Sequence, residues 1–258
     1  MTKGKLFELG CAGSTATNDV SPKVKAALKH AKAAGAQISK ARHSSKMKIE
    51  TPKDIKGEVK TDLCYGPDTV SAKLDGDVQL SSAEGTRSAQ MFESVLKSFV
   101  DEGRVGTIEY HRVQDIILAL DAMPTKMVTP DNLDKAKKNK PTIVKEMLSE
   151  GKIRDEYNWK VWEAQNKKSL VAAIKSYLTD HPEFKHRLIE EALTGRYTFG
   201  KNSLATANFI LTPYYYLPID DDYVQKVAKD VKIGIRAKSR KGISSGTMRI
   251  DYKVTDPA

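Results

Sequence analysis

The chain has 258 residues, of which 40% are hydrophobic and 29% charged, enough to bury one substantial core or a core plus a helical subdomain. No apolar run approaches the roughly 18 residues of a membrane-spanning helix, and the first 14 residues hold too short an apolar stretch for a secretory signal. Two isolated cysteines, Cys11 and Cys64, form no CxxC pair, which argues against structural zinc and suits a reducing cytoplasm. The net charge of +10 is unevenly spread: residues 21–60 carry eleven Lys/Arg against three Asp/Glu, and residues 232–253 seven against one. Two concentrated basic segments on a near-neutral body point to a polyanionic partner, most often nucleic acid.

Residues 4–16 are small, polar and Gly-rich around one apolar knot, Leu6-Phe7-Glu8-Leu9. Ser21-Pro22 predicts a helix start, serine capping and proline at the first helical position. That helix is expected to reach about Ala41, with Val24, Leu28, Ala31, Ile38 and Ala41 on a thin apolar face and lysines over the rest. Residues 43–58 read as a basic loop interrupted by Pro52, and Lys60–Leu80 as a β-hairpin turning at Tyr65–Asp68. From Thr86 the period becomes helical, with Met91, Phe92, Val95, Leu96 and Phe99 on one face, then Val113, Ile116, Ile117 and Leu120 in a second helix ended by Pro124. Residues 124–141, with three prolines and Lys135, Lys137, Lys138 and Lys140, read as a surface excursion. Further helices are expected at about 142–150, 157–179 and 182–194, the middle one cored by Leu170, Val171, Ile174 and Leu178. Strands follow at Ala205–Leu211 and Tyr214–Leu217, a short helix at Asp220–Lys229, and strands at Val231–Ala237 and Thr247–Val254 flanking a flexible basic loop, SRKGISSG. The expected fold is mixed α+β: residues 1–85 with the basic helix and hairpin, 86–200 as a helical block, and 201–258 completing the sheet of one compact domain.

The stretch Lys60–Ser82 carries the chemistry. Asp62 ends the first β-pattern, and Ser71 and Lys73 lie two residues apart on the second, so they share a face. A carboxylate opposite a lysine across a tight hairpin can hold a divalent cation against a scissile phosphate while the lysine stabilises developing negative charge. The run KTD, about ten residues, S-x-K and Q-L-S-S resembles the active-site hairpin of PD-(D/E)xK nucleases, the restriction-endonuclease-like fold. It is closest to a divergent branch among tailed-phage proteins, in which the motif reads S-L-K followed by Q-L-x-S. Glu190–Gly200, EEALTGRYTFG, resembles the E-A-M-T-G-x-x-x-F-G segment of the same proteins. The two patches span about 35 residues of the chain.

The resemblance implies a small restriction-endonuclease-like sheet elaborated by the helical block. It also implies a phage-encoded, Mg²⁺- or Mn²⁺-dependent hydrolase of DNA, acting in the bacterial host cytoplasm or carried in the virion. Ser71 stands where most of the superfamily has a second metal-binding carboxylate, and a hydroxyl is a poor Mg²⁺ ligand. Either another acid substitutes or the site is weakened or dead. Glu8 and Glu50 are the candidates, and Glu8 is preferred because an acid within LFEL needs a partner if it is buried. The expected metal ligands are therefore Asp62 and Glu8, their carboxylates within about 4–6 Å, a gap one cation bridges. Lys73 is the catalytic cation, and Gln79 positions water or substrate if its strand is unbroken from Lys73. Glu190 or Glu191 is drawn toward the hairpin only by the resemblance, and Gly195 reads as a helix C-cap.

Lys46 and Lys48, with Lys238, Arg240 and Lys241, are the expected nucleic-acid contacts; DNA is the expected partner, with homo-oligomers or virion components open and no membrane. Three alternatives stand beside this reading. Lys73-Leu-Asp75-Gly76 matches K-x-D-G, the adenylated-lysine motif of nucleic-acid ligases. Tyr214-Tyr-Tyr216 offers rings for base stacking, or for packing. The whole chain could instead be a non-catalytic DNA-binding or virion-associated protein that keeps the nuclease scaffold.

Overall fold

Thr2 opens the first helix by accepting the Lys5 N–H on its side chain; two helices and a run of strands are followed by a long succession of helices before strands return. In this computed structural model the described residues are 1–14, 20–52, 59–125, 127–128, 130–151, 153 and 159–255, without the side chains of Ser82, Pro130, Lys160, Ser239 and Arg240. The elements are α1 (Lys3–Cys11), α2 (Ser21–Ala33), β1 (Ala41–His43), β2 (Leu63–Tyr65), β3 (Asp68–Ala72) and β4 (Gly76–Glu84). Next come α3 (Gly85–Asp101), α4 (Tyr110–Asp121), α5 (Leu133–Asn139), α6 (Pro141–Ser149) and α7 (Trp159–Trp162), the last continuing through a π-helical turn into α8 (Lys168–Asp180). The remainder is α9 (Pro182–Thr194), α10 (Arg196–Phe199), β5 (Phe209–Leu211), β6 (Tyr216–Pro218), α11 (Asp221–Asp230), β7 (Lys232–Arg240) and β8 (Ile243–Val254). The fold is mixed α+β. Among the described residues no helix is long and apolar enough to cross a membrane.

Where one compact domain is expected, the chain divides into two units, Met1–Leu80 with Lys185–Lys232 and Asp251–Ala258, and Ser81–Phe184 with Ile233–Ile250. The first is built on a five-stranded sheet ordered β1-β2-β3-β5-β6. All its pairings are antiparallel except β3 with β5, which places Ser71 beside Ile210. Alternation along the strands turns Leu63, Tyr65, Val70, Ala72 and Leu211 toward Phe7 and Cys11 of α1 and Val24, Ala27 and Ala31 of α2. Small residues on α2 let it lie close, while Lys25, Lys29 and Lys32 remain exposed. Tyr216 stacks on Phe209, ring centres 5.0 Å apart, and donates to Asp68 at 2.9 Å. Tyr215 bonds Tyr223 at 3.3 Å and Tyr214 bonds Asp75 at 3.0 Å, so the three consecutive tyrosines are packing residues.

The second unit is mainly helical. Phe184 is surrounded by Phe92, Phe99 and Tyr177 at centroid distances of 5.8, 5.8 and 5.2 Å, which explains why the α3 and α8 stripes are apolar. A side chain at Gly85 would collide with the Leu120 carbonyl, so α3 and α4 meet through that glycine. The unit's sheet is ordered β4-β8-β7.

Several boundaries differ from expectation. Helix α2 begins at Ser21 with Val20 as its cap, and it stops at Ala33, where Gly35 takes a φ of +81°. Ile38 and Ala41 still pack on the same core, from a 3-10 turn and β1. The basic stretch after residue 43 holds a 3-10 turn at Ser44–Lys46, and its residues 53–58 lie outside the described ones. The 124–141 stretch is no excursion: it forms α5 and buries Val128 and Ala136 with Val144 and Met147. C-terminal strands do not complete one sheet, since β5 and β6 join β3 whereas β7 and β8 join β4. The SRKGISSG segment is mostly strand, its turn reduced to Lys241 and Gly242 at φ +56° and +85°, the two positive values of a type I′ turn.

Asp75 anchors the β3–β4 connection. Lys23 of α2 pairs with its Oδ1 at 2.5 Å and Tyr214 donates to its Oδ2 at 3.0 Å. The Lys23 hydrogen bond, followed by that of Tyr214, outweighs burial and holds its pKa below the ordinary aspartate value. A depressed folded-state pKa means stabilisation that is present above the unfolded value and lost as pH falls through the folded one. Asp75→Asn should therefore cost about 1 kcal/mol at neutral pH, and the difference from wild type should shrink in denaturant titrations as pH falls below the ordinary aspartate value of about 3.9. A difference that persists unchanged in acid would show that charge is not its source.

Candidate active site

Strand pairing fixes Asp62 by its backbone. Its N–H donates to the Val70 carbonyl and its carbonyl accepts from the Ser44 N–H, both at 2.9 Å. Asp62 thus leads into β2, whereas the pattern alone placed it at a strand end. Three donors reach carboxylate Oδ2: the Ala72 N–H at 2.9 Å, the Ser71 hydroxyl at 3.2 Å and the Lys73 ammonium at 3.3 Å. Among the described residues no hydrogen bond falls on Oδ1, and the side chain keeps 20% of its surface open.

Glu8 is delivered by α1, whose buried positions Phe7, Gly10 and Cys11 turn the helix onto the sheet. One turn earlier, Lys5 places its Nζ 2.8 Å from Glu8 Oε2 and 3.0 Å from His43 Nε2. His43 is 2% exposed, its Nε2 lies 3.8 Å from the same Glu8 oxygen, and its Nδ1 is engaged by the Ser45 hydroxyl at 2.8 Å and N–H at 3.1 Å. Burial and then the neighbouring Lys5 charge lower the His43 pKa, which keeps the ring neutral. Burial raises the Glu8 pKa, the Asp62 charge raises it further, and Lys5 and Lys73 oppose both. Glu8, Asp62 and Lys73 therefore share one electrostatic field. The same burial, with the Glu8 charge, pushes the Cys11 thiol up to about 12, so it packs as an uncharged group.

Lys5 and His43 were not singled out from sequence. The i,i+3 spacing of Lys5 and Glu8 was a readable signal; His43 comes from β1 and carried none. Glu50 instead lies on the surface, 84% exposed and 3.4 Å from Lys48. Gln79 does not extend the Lys73 face, because β3 ends at Ala72 and the chain turns at Gly76 (φ +84°) into β4 of the other sheet. It is exposed there. Lys46, Lys48, Lys238 and Lys241 are exposed, and the Arg240 side chain lies outside the described residues.

The second patch of resemblance sits beside the lead into β2. Gly195 ends α9 at φ +70°, and a Cβ there would meet Phe199 at 2.8 Å and Lys60 at 3.0 Å. Glu191, almost fully buried, accepts the Tyr197 N–H at 2.7 Å and the Thr198 N–H at 3.3 Å, capping α10. Burial raises its pKa, and the Lys60 charge is among the opposing influences. Glu190 binds Arg196 and the Tyr197 hydroxyl. These are structural roles within residues 190–198, a segment that packs at Gly195 beside Lys60, two residues upstream of Asp62.

Among the described residues no three His, Cys, Asp or Glu side chains converge as a metal-binding group. Mg²⁺ does not require three, since it commonly takes one or two carboxylates and completes its octahedron with water and substrate phosphate. Asp62, partly open, offers one such hard oxygen donor, and Glu8, on which its charge acts, is the neighbouring acid. Comparison of the chain with protein-family models, with curated proteins and with solved structures returns no match.

The shared field has a direct readout. In a carboxyl-carbon NMR titration, Asp62→Asn should lower the Glu8 pKa toward the ordinary glutamate value, because a repelling charge is removed. Lys5→Met should raise it further. An unchanged Glu8 titration in Asp62→Asn would place the two carboxylates too far apart to share a cation.

Proposed function

We propose that Asp62, Lys73 and Glu8 form the centre of a divalent-metal-dependent nuclease that hydrolyses DNA phosphodiester bonds, phage-encoded and acting in the bacterial host or the virion. The observation that carries this reading is the Lys73 ammonium 3.3 Å from the Oδ2 of a partly open Asp62, with the half-buried Glu8 carboxyl within reach of both charges. Asp62 and Glu8 would hold Mg²⁺ or Mn²⁺, which supplies Lewis acidity at the phosphate and a more acidic water. Lys73 has three ammonium hydrogens; Asp62 takes one, and the others are available to an anionic oxygen as charge develops. Lys5, wedged between Glu8 and neutral His43, holds the Glu8 carboxylate in one orientation. Lys46 and Lys48, with Lys238, Arg240 and Lys241, are assigned to the phosphate backbone.

One observation favours the rival class. Ser71 spends its hydroxyl on Asp62 and supplies no anionic oxygen, as a non-catalytic DNA-binding or virion-associated protein on this scaffold would. Plasmid and linear DNA incubated with Mg²⁺, Mn²⁺ or EDTA separates the two. The nuclease reading expects cleavage only with metal, a loss of at least about 10²-fold in Asp62→Asn and Lys73→Ala, and DNA binding by Asp62→Asn equal to or tighter than wild type. DNA binding without cleavage under every metal would select the non-catalytic reading.

A further inference from the structure

Two lysine-rich runs about a hundred residues apart in the chain meet in the second unit. One is α5 with its flanks, where Lys135, Lys137, Lys138 and Lys140 are all exposed, against the acids Asp131 and Asp134. The other is the tip of the β7–β8 hairpin, Arg236–Gly242, which contains four cations and no acid; Arg236, Lys238 and Lys241 are exposed. Gly242 is what brings them together. A Cβ there would lie 2.8 Å from the Ala136 nitrogen and 3.1 Å from the Asn132 carbonyl oxygen, so the turn rests on the backbone of α5 itself.

The placement is rigid. Met127 and Ser244 exchange backbone hydrogen bonds at 2.6 and 2.7 Å, and the Gly246 N–H donates to the Pro124 carbonyl at 2.7 Å. Beneath them Ile243 packs on the core formed by Val128, Ala136, Val144 and Met147. Lysines held on such a frame give up little backbone freedom when they meet a charged partner.

We propose that α5 and the hairpin tip form one DNA-binding surface that grips the phosphate backbone without reading base sequence. It adds Lys135 and Lys138 to the contacts, and the choice of DNA as the polyanion rests on the nuclease reading. Lys135 and Lys138 lie one turn apart on the same face of α5, and with the cations of the adjoining turn they suit a phosphate backbone, whose neutralisation releases condensed counterions.

The test measures binding of a mixed-sequence duplex by fluorescence anisotropy, in EDTA so that nothing is cleaved, between about 50 and 200 mM salt. Replacing Lys135, Lys137 and Lys138 together by glutamine should weaken binding roughly tenfold and flatten the log–log salt slope by about 2, the share of Lys135 and Lys138. Replacing Lys238 and Lys241 should flatten it by about 2. Gly242→Val keeps every lysine but pries the turn from α5, and should also weaken binding. Should that variant fail to fold, Lys138→Gln alone should still flatten the slope by about one. Affinity and slope unchanged in the α5 triple variant would overturn the proposal. So would loss of binding to phosphatidylserine vesicles with DNA binding intact, which would mark a lipid-headgroup surface. The two readings fail separately: absent cleavage removes the nuclease, whereas a lysine-insensitive salt slope removes this surface.

Discussion

Three donors on one oxygen of Asp62 organise the first unit's site. The Ala72 N–H belongs to the end of β3, and Asp62's own amide is bonded to Val70 two residues earlier on that strand. The carboxylate is thus tied twice to one strand. Swinging away would cost all three of its hydrogen bonds, and a register slip of one residue would turn Ser71 and Lys73 to the other face. A site held this way is pre-organised: its charges are set by the backbone before any ligand arrives, which is the arrangement that electrostatic catalysis requires.

Glu8 shows the complementary economy. Its helix is short, and its position comes from Phe7 and Cys11 buried against the sheet and from the Tyr65 hydroxyl on the Cys11 carbonyl at 3.0 Å. Burial that docks α1 also desolvates Glu8, which favours the protonated acid. Lys5 offsets that tendency from the same helix, and neutral His43 occupies its far side without adding a competing charge. The Glu8 carboxyl thus sits between a repelling aspartate and a compensating lysine.

Local chemistry was readable wherever one residue type decides a conformation. The periodic apolar faces of α3 and α4, the capping role of Gly195 and the Asp62–Lys73 pairing all follow from spacing along the chain. The end of α2 at Gly35 and the break at Gly76 were also signalled by glycine, but at Gly35 an apolar stripe running past it obscured the signal. The stripe was real, because Ile38 and Ala41 do reach the core; it simply crosses from a helix to a turn and a strand. Prolines and lysines in 124–141 looked solvent-bound, yet Val128 and Ala136 needed only a neighbour to bury them, and Ile243 is more than a hundred residues away.

By itself the amino-acid sequence determined the mixed α+β class, the helical stretch and the carboxylate–lysine pair, since each depends on side-chain period or on residues within one hairpin. Tertiary structure alone decided that β5 lies parallel to β3 while β7 and β8 leave for another sheet, because strand partnership is set by which faces can be covered. It alone brought Lys5 and His43 onto Glu8, and the hairpin tip onto α5, because both contacts depend on backbones approaching across long separations in the chain. Hydrophobic spacing says which face a residue takes; only the packed chain says what that face meets.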